Sequence, residues 1–142
     1  MIVTPKTENE YATMLKLLNE GAGVMPSPEL MMCGWVKDNK LVMVVGLDTF
    51  IGKTCHIHVS MAQGFNYTPR AMLQEVFKTA FENCHMLIGV VNSKNENALK
   101  YDQHLGFVES VRFPGMHDDG GDLVVLTMSK DQCKYLEMKE AA

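Results

Sequence analysis

Apolar positions along this chain change their period several times, and each change marks an element. Tyr11, Met14, Leu15 and Leu18 recur at helical spacing behind Thr7 and Glu10, which have capping-box spacing. Gly21-Ala22-Gly23 predicts the end of that helix. A short extended opening at Val3-Thr4-Pro5 precedes it. Pro26-Ser27-Pro28 follows as a mobile connection, because proline cannot continue a helix. Residues 31–37 and 41–50 read as strands around Asp38-Asn39, a favourable hairpin turn. Gly52-Lys53 makes a second turn. Residues 54–61 then alternate, with Cys55, Ile57, Val59 and Met61 on one face and His56, His58 and Ser60 on the other.

In the second half, Thr68 is the expected N-cap of a helix with Pro69 in its first turn. Met72, Leu73, Val76, Phe77 and Ala80 supply that helix's buried stripe. Residues 86–91 form a short apolar strand and 95–104 a second helix. Residues 107–113 form another strand, 115–122 a polar loop and 123–128 the last strand. Residues 131–138 predict a terminal helix with Cys133, Tyr135 and Leu136 inward. The order β-α-β-β-β-α-β-α-β-β fits an α/β (α+β) fold: one mixed, mostly antiparallel central sheet with helices on both faces. Residues 1–142 are expected to form a single domain.

Composition narrows the field modestly. Of 142 residues, 46% are hydrophobic and 21% charged, as in ordinary globular proteins. A net charge of −4 gives no electrostatic footprint for nucleic acid. No apolar run reaches the ~18–20 residues that a membrane span requires, and the first residues lack a signal-peptide pattern. Cys33, Cys55, Cys84 and Cys133 are far apart in sequence, which predicts reduced thiols and a cytoplasmic location. The 12 methionines read mainly as adaptable core filler.

The most specific segment is Asn95-Glu96-Asn97-Ala98-Leu99-Lys100-Tyr101-Asp102-Gln103-His104-Leu105-Gly106-Phe107. An N-x-x-A start to a helix that ends in L-G-F, between two strands, closely resembles the acyl-CoA-binding half of the GNAT N-acyltransferases. The predicted element order is similar to that fold over essentially the whole chain. Thr68-Pro69-Arg70, Leu105-Gly106-Phe107, Gly120-Gly121-Asp122 and Cys133-Lys134-Tyr135-Leu136 also resemble features of divergent GNAT-like proteins of phages and prophages.

A pyrophosphate is bound well by a helix N-terminus with free backbone N–H groups. Gln63-Gly64-Phe65-Asn66-Tyr67-Thr68-Pro69-Arg70 has that form, a glycine turn leading into a helix. The resemblance implies an acyl-CoA, with acetyl-CoA expected. It would be held by Val59 and Met61 on the central strand, by Gly64, Phe65, Asn66, Tyr67, Thr68 and Arg70, and by Asn95. Asn95 also reads as a plain helix cap. The loop departs from the family pattern. Gly64 falls where an Arg or Gln is usual, and Phe65, Tyr67 and Pro69 fall on usual glycines.

Direct attack by an amine on a thioester needs a base, a donor for the carbonyl oxygen and a proton for the leaving thiolate. His58 is the better of two strand histidines for the base. In many family members a tyrosine four residues before the L-G-F glycine supplies the proton. That position is Asp102 here, a poor acid unless strongly perturbed, and Tyr101 beside it is the candidate. Cysteines, histidines and the 117–119 acidic segment have no metal-ligand spacing, so no metal is expected. The expected partners are an acyl-CoA and an amine acceptor, with a homodimer as one arrangement. The loop departures and the displaced tyrosine also admit a GNAT-fold interaction protein without catalysis, such as a phage component.

Overall fold

A computed structural model describes residues 1–137. One seven-stranded sheet carries every element, in the spatial order β1-β2-β3-β4-β5-β7-β6. The strands are β1 (Ile2–Val3), β2 (Met31–Lys37), β3 (Lys40–Ile51), β4 (Thr54–Met61), β5 (Met86–Asn92), β6 (Val108–Phe113) and β7 (Leu123–Ser129). The helices are α1 (Glu8–Ala22), α2 (Arg70–Asn83) and α3 (Glu96–Leu105). β4 and β5 run parallel, and the other pairings are antiparallel. The expected mixed, mostly antiparallel sheet is therefore present, with α1 on one face and α2 and α3 on the other.

Local sequence explains most boundaries. Asp38 and Asn39 both take positive φ, 52° and 61°, and so form the tight turn whose twist matches the β2–β3 hairpin. Thr7 caps α1, accepting from the Glu10 N–H at 3.1 Å. The reciprocal bond of the expected capping box is displaced by one residue: the Lys6 N–H donates to Glu10 Oε2 at 2.9 Å. Helix α1 runs through Gly21 to Gly23, whose φ of 68° closes it.

Three expectations are corrected. Thr68 is not the cap of α2: Pro69 occupies that position without a side-chain bond, because the Thr68 hydroxyl bonds Tyr101 instead. The terminal segment is two short 3₁₀ turns, Lys130–Gln132 and Lys134–Glu137, rather than a helix. Ser129 and Gln132 cap the first reciprocally, and Cys133 is extended, which lets its side chain enter the core. Cys133 and Tyr135 are buried there, Tyr135 stacked on Phe77 at 4.9 Å, while Leu136 faces outward. Met138 lies outside the described residues.

The faces follow the strand alternation. On one side Met14 and Leu18 of α1 pack with Leu30, Met32 and Val44. On the other, Phe77, Ala80 and Phe81 of α2 pack with Cys55, Leu87, Val124, Leu126 and Met128, with Leu105 at the end of α3 joining them. Cys55 Sγ and Cys84 Sγ are 3.4 Å apart in that core, brought together by the β4–α2 packing. Both are free thiols.

Candidate active site

The parallel pair β4–β5 is short. Its register covers Thr54–Met86, Cys55–Leu87 and His56–Ile88. Beyond these the strands part, and a cleft of about 860 Å³ opens between them. Ile57, His58, Val59 and Met61 of β4 form one wall, Gly89 to Asn92 of β5 the other, and α3 lies along it. Gly21 and Ala22 at the end of α1 reach its rim. Strand pairing consumes backbone donors, so the outer half of β4 is left with N–H groups free on its β5 side.

On the α1 face, His58 stands opposite Gly46 of β3. Its Nε2 lies 2.7 Å from Asp48 Oδ1. The two side chains are only 26% and 16% exposed, so the pair is largely sheltered, and His58 lines the cleft. Asp48 precedes a bulge in β3. Thr49 sits there at φ 53°, an uncommon conformation for a β-branched residue. Its N–H donates to Glu29 Oε1 at 2.9 Å and its hydroxyl to Asp48 Oδ1 at 3.2 Å. Backbone strain of this kind costs about 1–3 kcal/mol and persists only where neighbours enforce it. Here it holds the carboxylate that orients His58.

On the opposite face, Tyr101 and Asp102 line the cleft from α3. The Tyr101 hydroxyl and Thr68 Oγ1 hydrogen-bond to each other. Burial pushes the Tyr101 phenol up to about 12, with the Thr68 bond pulling back against it. Asp102 is pushed up to about 6 by burial alone. A Cβ added at Gly89 would lie 3.7 Å from Asp102 Oδ2, so this carboxyl rests above the bare glycine of β5. Asn95 caps α3, accepting from the Ala98 N–H at 3.2 Å, and borders the same cleft.

The loop before α2 turns at a glycine: Gly64 has φ 86°. Phe65 packs into the cluster of Met43, Val45, Met72 and Val76. Tyr67 lies against Phe65 at 4.7 Å and under Lys37 Nζ at 5.5 Å. Of the bulky residues at the usual glycine positions, Phe65 thus packs onto β3 and α2, Tyr67 stays exposed beside it, and Pro69 forms the N-cap of α2. The Pro69 carbonyl accepts from Met72 and Leu73, and no side chain caps the first turn. Arg70 is exposed beside it.

The cleft therefore brings together His58, Val59, Met61, Asn66, Asn95 and Tyr101, with Thr68 joined through Tyr101. Gly64, Phe65, Tyr67 and Arg70 lie outside it, around the start of α2. Sequence reading missed Asp48 and Gly89, weighed His117 only as a metal ligand, and set Asp102 aside. Asp48 had a signal: it is the acidic residue at the end of the apolar run 41–47. His117 enters the cleft because its loop folds back on the end of β5. Asn92 Nδ2 donates to Asp119 Oδ2 at 2.7 Å and Lys94 Nζ to the Asp119 carbonyl at 2.7 Å. Arg112 Nη1 reaches Asp122 Oδ2 at 3.0 Å. Bonds from Gly121 N–H to Asp119 and from Gly115 N–H to Asp122 hold both carboxyls below their ordinary range. These acids serve the loop itself. Among the described residues, no three His, Cys, Asp or Glu side chains gather as a metal site. No described helix is long and apolar enough to cross a membrane.

No protein-family model matches the sequence, and no curated protein is similar to it. Solved structures are similar in shape. A chimera of the Vibrio cholerae spermidine N-acetyltransferase SpeG with hSSAT superposes with a TM-score of 0.74 at 14% identity, over 96% of this chain and 99% of that one. A ribosomal-protein-alanine N-acetyltransferase from Brucella melitensis gives 0.71 at 16% identity, over 91% and 99%. A GNAT family acetyltransferase from Elizabethkingia anophelis with acetyl-CoA bound gives 0.70 at 17%, over 91% and 97%. The chain has the fold of the GNAT acetyltransferases.

Proposed function

We propose that this protein is an acyl-CoA-dependent N-acyltransferase, with acetyl-CoA as donor and a primary amine as acceptor, working by direct attack in a ternary complex. The observation that carries this reading is the split between β4 and β5. It joins a face bearing the His58–Asp48 pair to a face bearing the uncapped start of α2. The residues present are compatible with an acyl-CoA: no side chain caps the start of α2, and Phe65 packs onto β3 and α2.

The free N–H groups of the first turn of α2, with Arg70 beside them, would hold the pyrophosphate. Val59, Met61, Asn66 and Asn95 would flank the rest of the donor, with Thr68 and Tyr101 fixing α2 against α3. Bound there, acyl-CoA supplies an activated thioester carbonyl. The outer β4 backbone N–H groups would face the carbonyl oxygen, where fixed donors stabilise developing charge. His58, held by Asp48, would take the proton from the attacking amine on the α1 face.

Calorimetric titration with acetyl-CoA tests this reading. Micromolar binding, weakened about tenfold in Arg70→Ala by loss of one charge-assisted contact, supports it. A folded wild type that binds no acetyl-CoA overturns it and favours the non-catalytic interaction protein.

A further inference from the structure

Asp102 is the one carboxyl among the residues that line the cleft, and it takes no part in the His58–Asp48 pair. Asp102 sits on the inner side of α3, above Gly89 at the point where β4 and β5 separate. Among the described residues its carboxyl makes no hydrogen bond and no ion pair. It is part-exposed where it lines the cleft, and a partly desolvated carboxyl without a protein partner adds nothing to the stability of the fold. Tyr101, one residue earlier, also lines the cleft, but its hydroxyl is engaged with Thr68 just before α2.

We propose that Asp102 is the proton donor of the acyl-transfer reaction, and that Tyr101 is a positioning residue that ties α3 to α2. This rests on the acyltransferase reading above. The gap gives the proposal its geometry: Asp102 is on the α2–α3 face of the sheet and His58 on the α1 face, so acid and base flank the opening from opposite sides. When the acceptor nitrogen bonds to the carbonyl carbon and the C–S bond breaks, the bonding pair goes with the sulfur, and Asp102 passes it a proton. His58 takes the surplus proton from nitrogen. Solvent then removes the proton from His58 and restores the one on Asp102, so the net products are an amide and a thiol.

The protonation state suits the task. Burial raises the carboxyl to about 6, so a usable fraction holds its proton near neutral pH, as an efficient general acid requires. The titratable and charged groups that share the cleft are Lys100, Tyr101 and His104 on α3, His58 on β4 and His117 in the loop before β7. β5, on which the carboxyl rests, has none, and burial is the one cause of the rise.

The test compares wild type, Asp102→Asn and Tyr101→Phe in three measurements: a carbon-13 carboxyl NMR titration of the ligand-free protein, acetyl-CoA binding by calorimetry, and acetyl transfer from acetyl-CoA to n-butylamine, spermidine and lysine between pH 5 and 9. The expected results are an Asp102 midpoint near 6 and acetyl-CoA affinities within about threefold of one another. Transfer by Asp102→Asn should fall roughly 100-fold, the general-acid range, and lose the decline in kcat/KM above pH 6. Tyr101→Phe should fall less than about fivefold. An Asp102 midpoint below 5 overturns the proposal. So does an Asp102→Asn variant with transfer within threefold of wild type, or a wild type that binds acetyl-CoA but acetylates none of the three amines. Failure of the wild type to bind acetyl-CoA overturns instead the acyltransferase reading and, with it, this one.

Discussion

Gly21→Ala is the substitution for which local propensity and tertiary structure predict opposite signs. In the last turn of α1, alanine is favoured over glycine by up to about 1 kcal/mol. In the folded chain a Cβ at this position would fall on Ser60 Oγ, 2.7 Å from Ser60 Cβ and 3.4 Å from its Cα. Ser60 is 4% exposed, on the neighbouring strand β4, and its hydroxyl donates to the Leu17 carbonyl at 2.7 Å. The methyl therefore meets backbone-anchored atoms and cannot be accommodated by turning a side chain. Overpacking of a tight contact costs about 1–3 kcal/mol, and loss of the displaced hydroxyl's bond about 1 more. Set against the propensity gain, the net loss is about 2 kcal/mol, or roughly 6 °C in Tm for a chain of this size. Urea unfolding of Gly21→Ala, Ser60→Gly and the double variant is the assay. Ser60→Gly alone loses the Leu17 bond, and in the double variant the new methyl fills the vacated space, so a favourable coupling of about 2 kcal/mol is expected. A Gly21→Ala protein as stable as wild type, or more so, would refute the claim that this contact sets where α1 lies on β4. The placement matters for function because Gly21 and Ala22 form the cleft rim near His58.

Three further outcomes are expected. Asp102→Asn should stabilise the protein near neutral pH by up to about 3 kcal/mol, the equivalent of a carboxyl raised from its ordinary range to about 6. The native state binds the proton more tightly than the unfolded chain. Wild-type stability therefore falls as pH rises from about 4 through 6, and the two proteins should converge near pH 4 in denaturant titrations. Asp48→Asn should lower acetyl transfer about 10–100-fold with acetyl-CoA affinity unchanged, since it removes the anion that orients His58 but touches nothing near α2. In the native protein at pH 8, Cys33, Cys55 and Cys133 should resist iodoacetamide by intact mass. Burial pushes the Cys33 thiol up to about 11 and also raises the other two, leaving little thiolate to react.

The course of the chain was legible because each element carries its own periodicity. The alternation in 54–61, the apolar stripe after Thr68 and the glycine ends of α1 and α3 are local signals, and they specified the sheet, the order of its elements and the face on which His58 lies. Tyr101 and Asn95 were likewise placed at the cleft by a motif confined to one helix and its caps. What the sequence could not express is what happens between elements. Thr68 has the residue type of a cap, yet its hydroxyl goes to Tyr101, 33 positions away, because α2 and α3 meet there. The segment 131–137 has helical spacing, but burying Cys133 and Tyr135 requires an extended residue between two short turns. Asp102 is an ordinary carboxylate on paper. Its environment is created by α3 lying over Gly89 where two parallel strands diverge, and desolvation depends on everything packed around a group rather than on its neighbours in sequence. Periodicity fixed the elements because backbone geometry is local. The chemistry of the cleft was decided by packing, which alone sets distance, burial and the choice of hydrogen-bond partner.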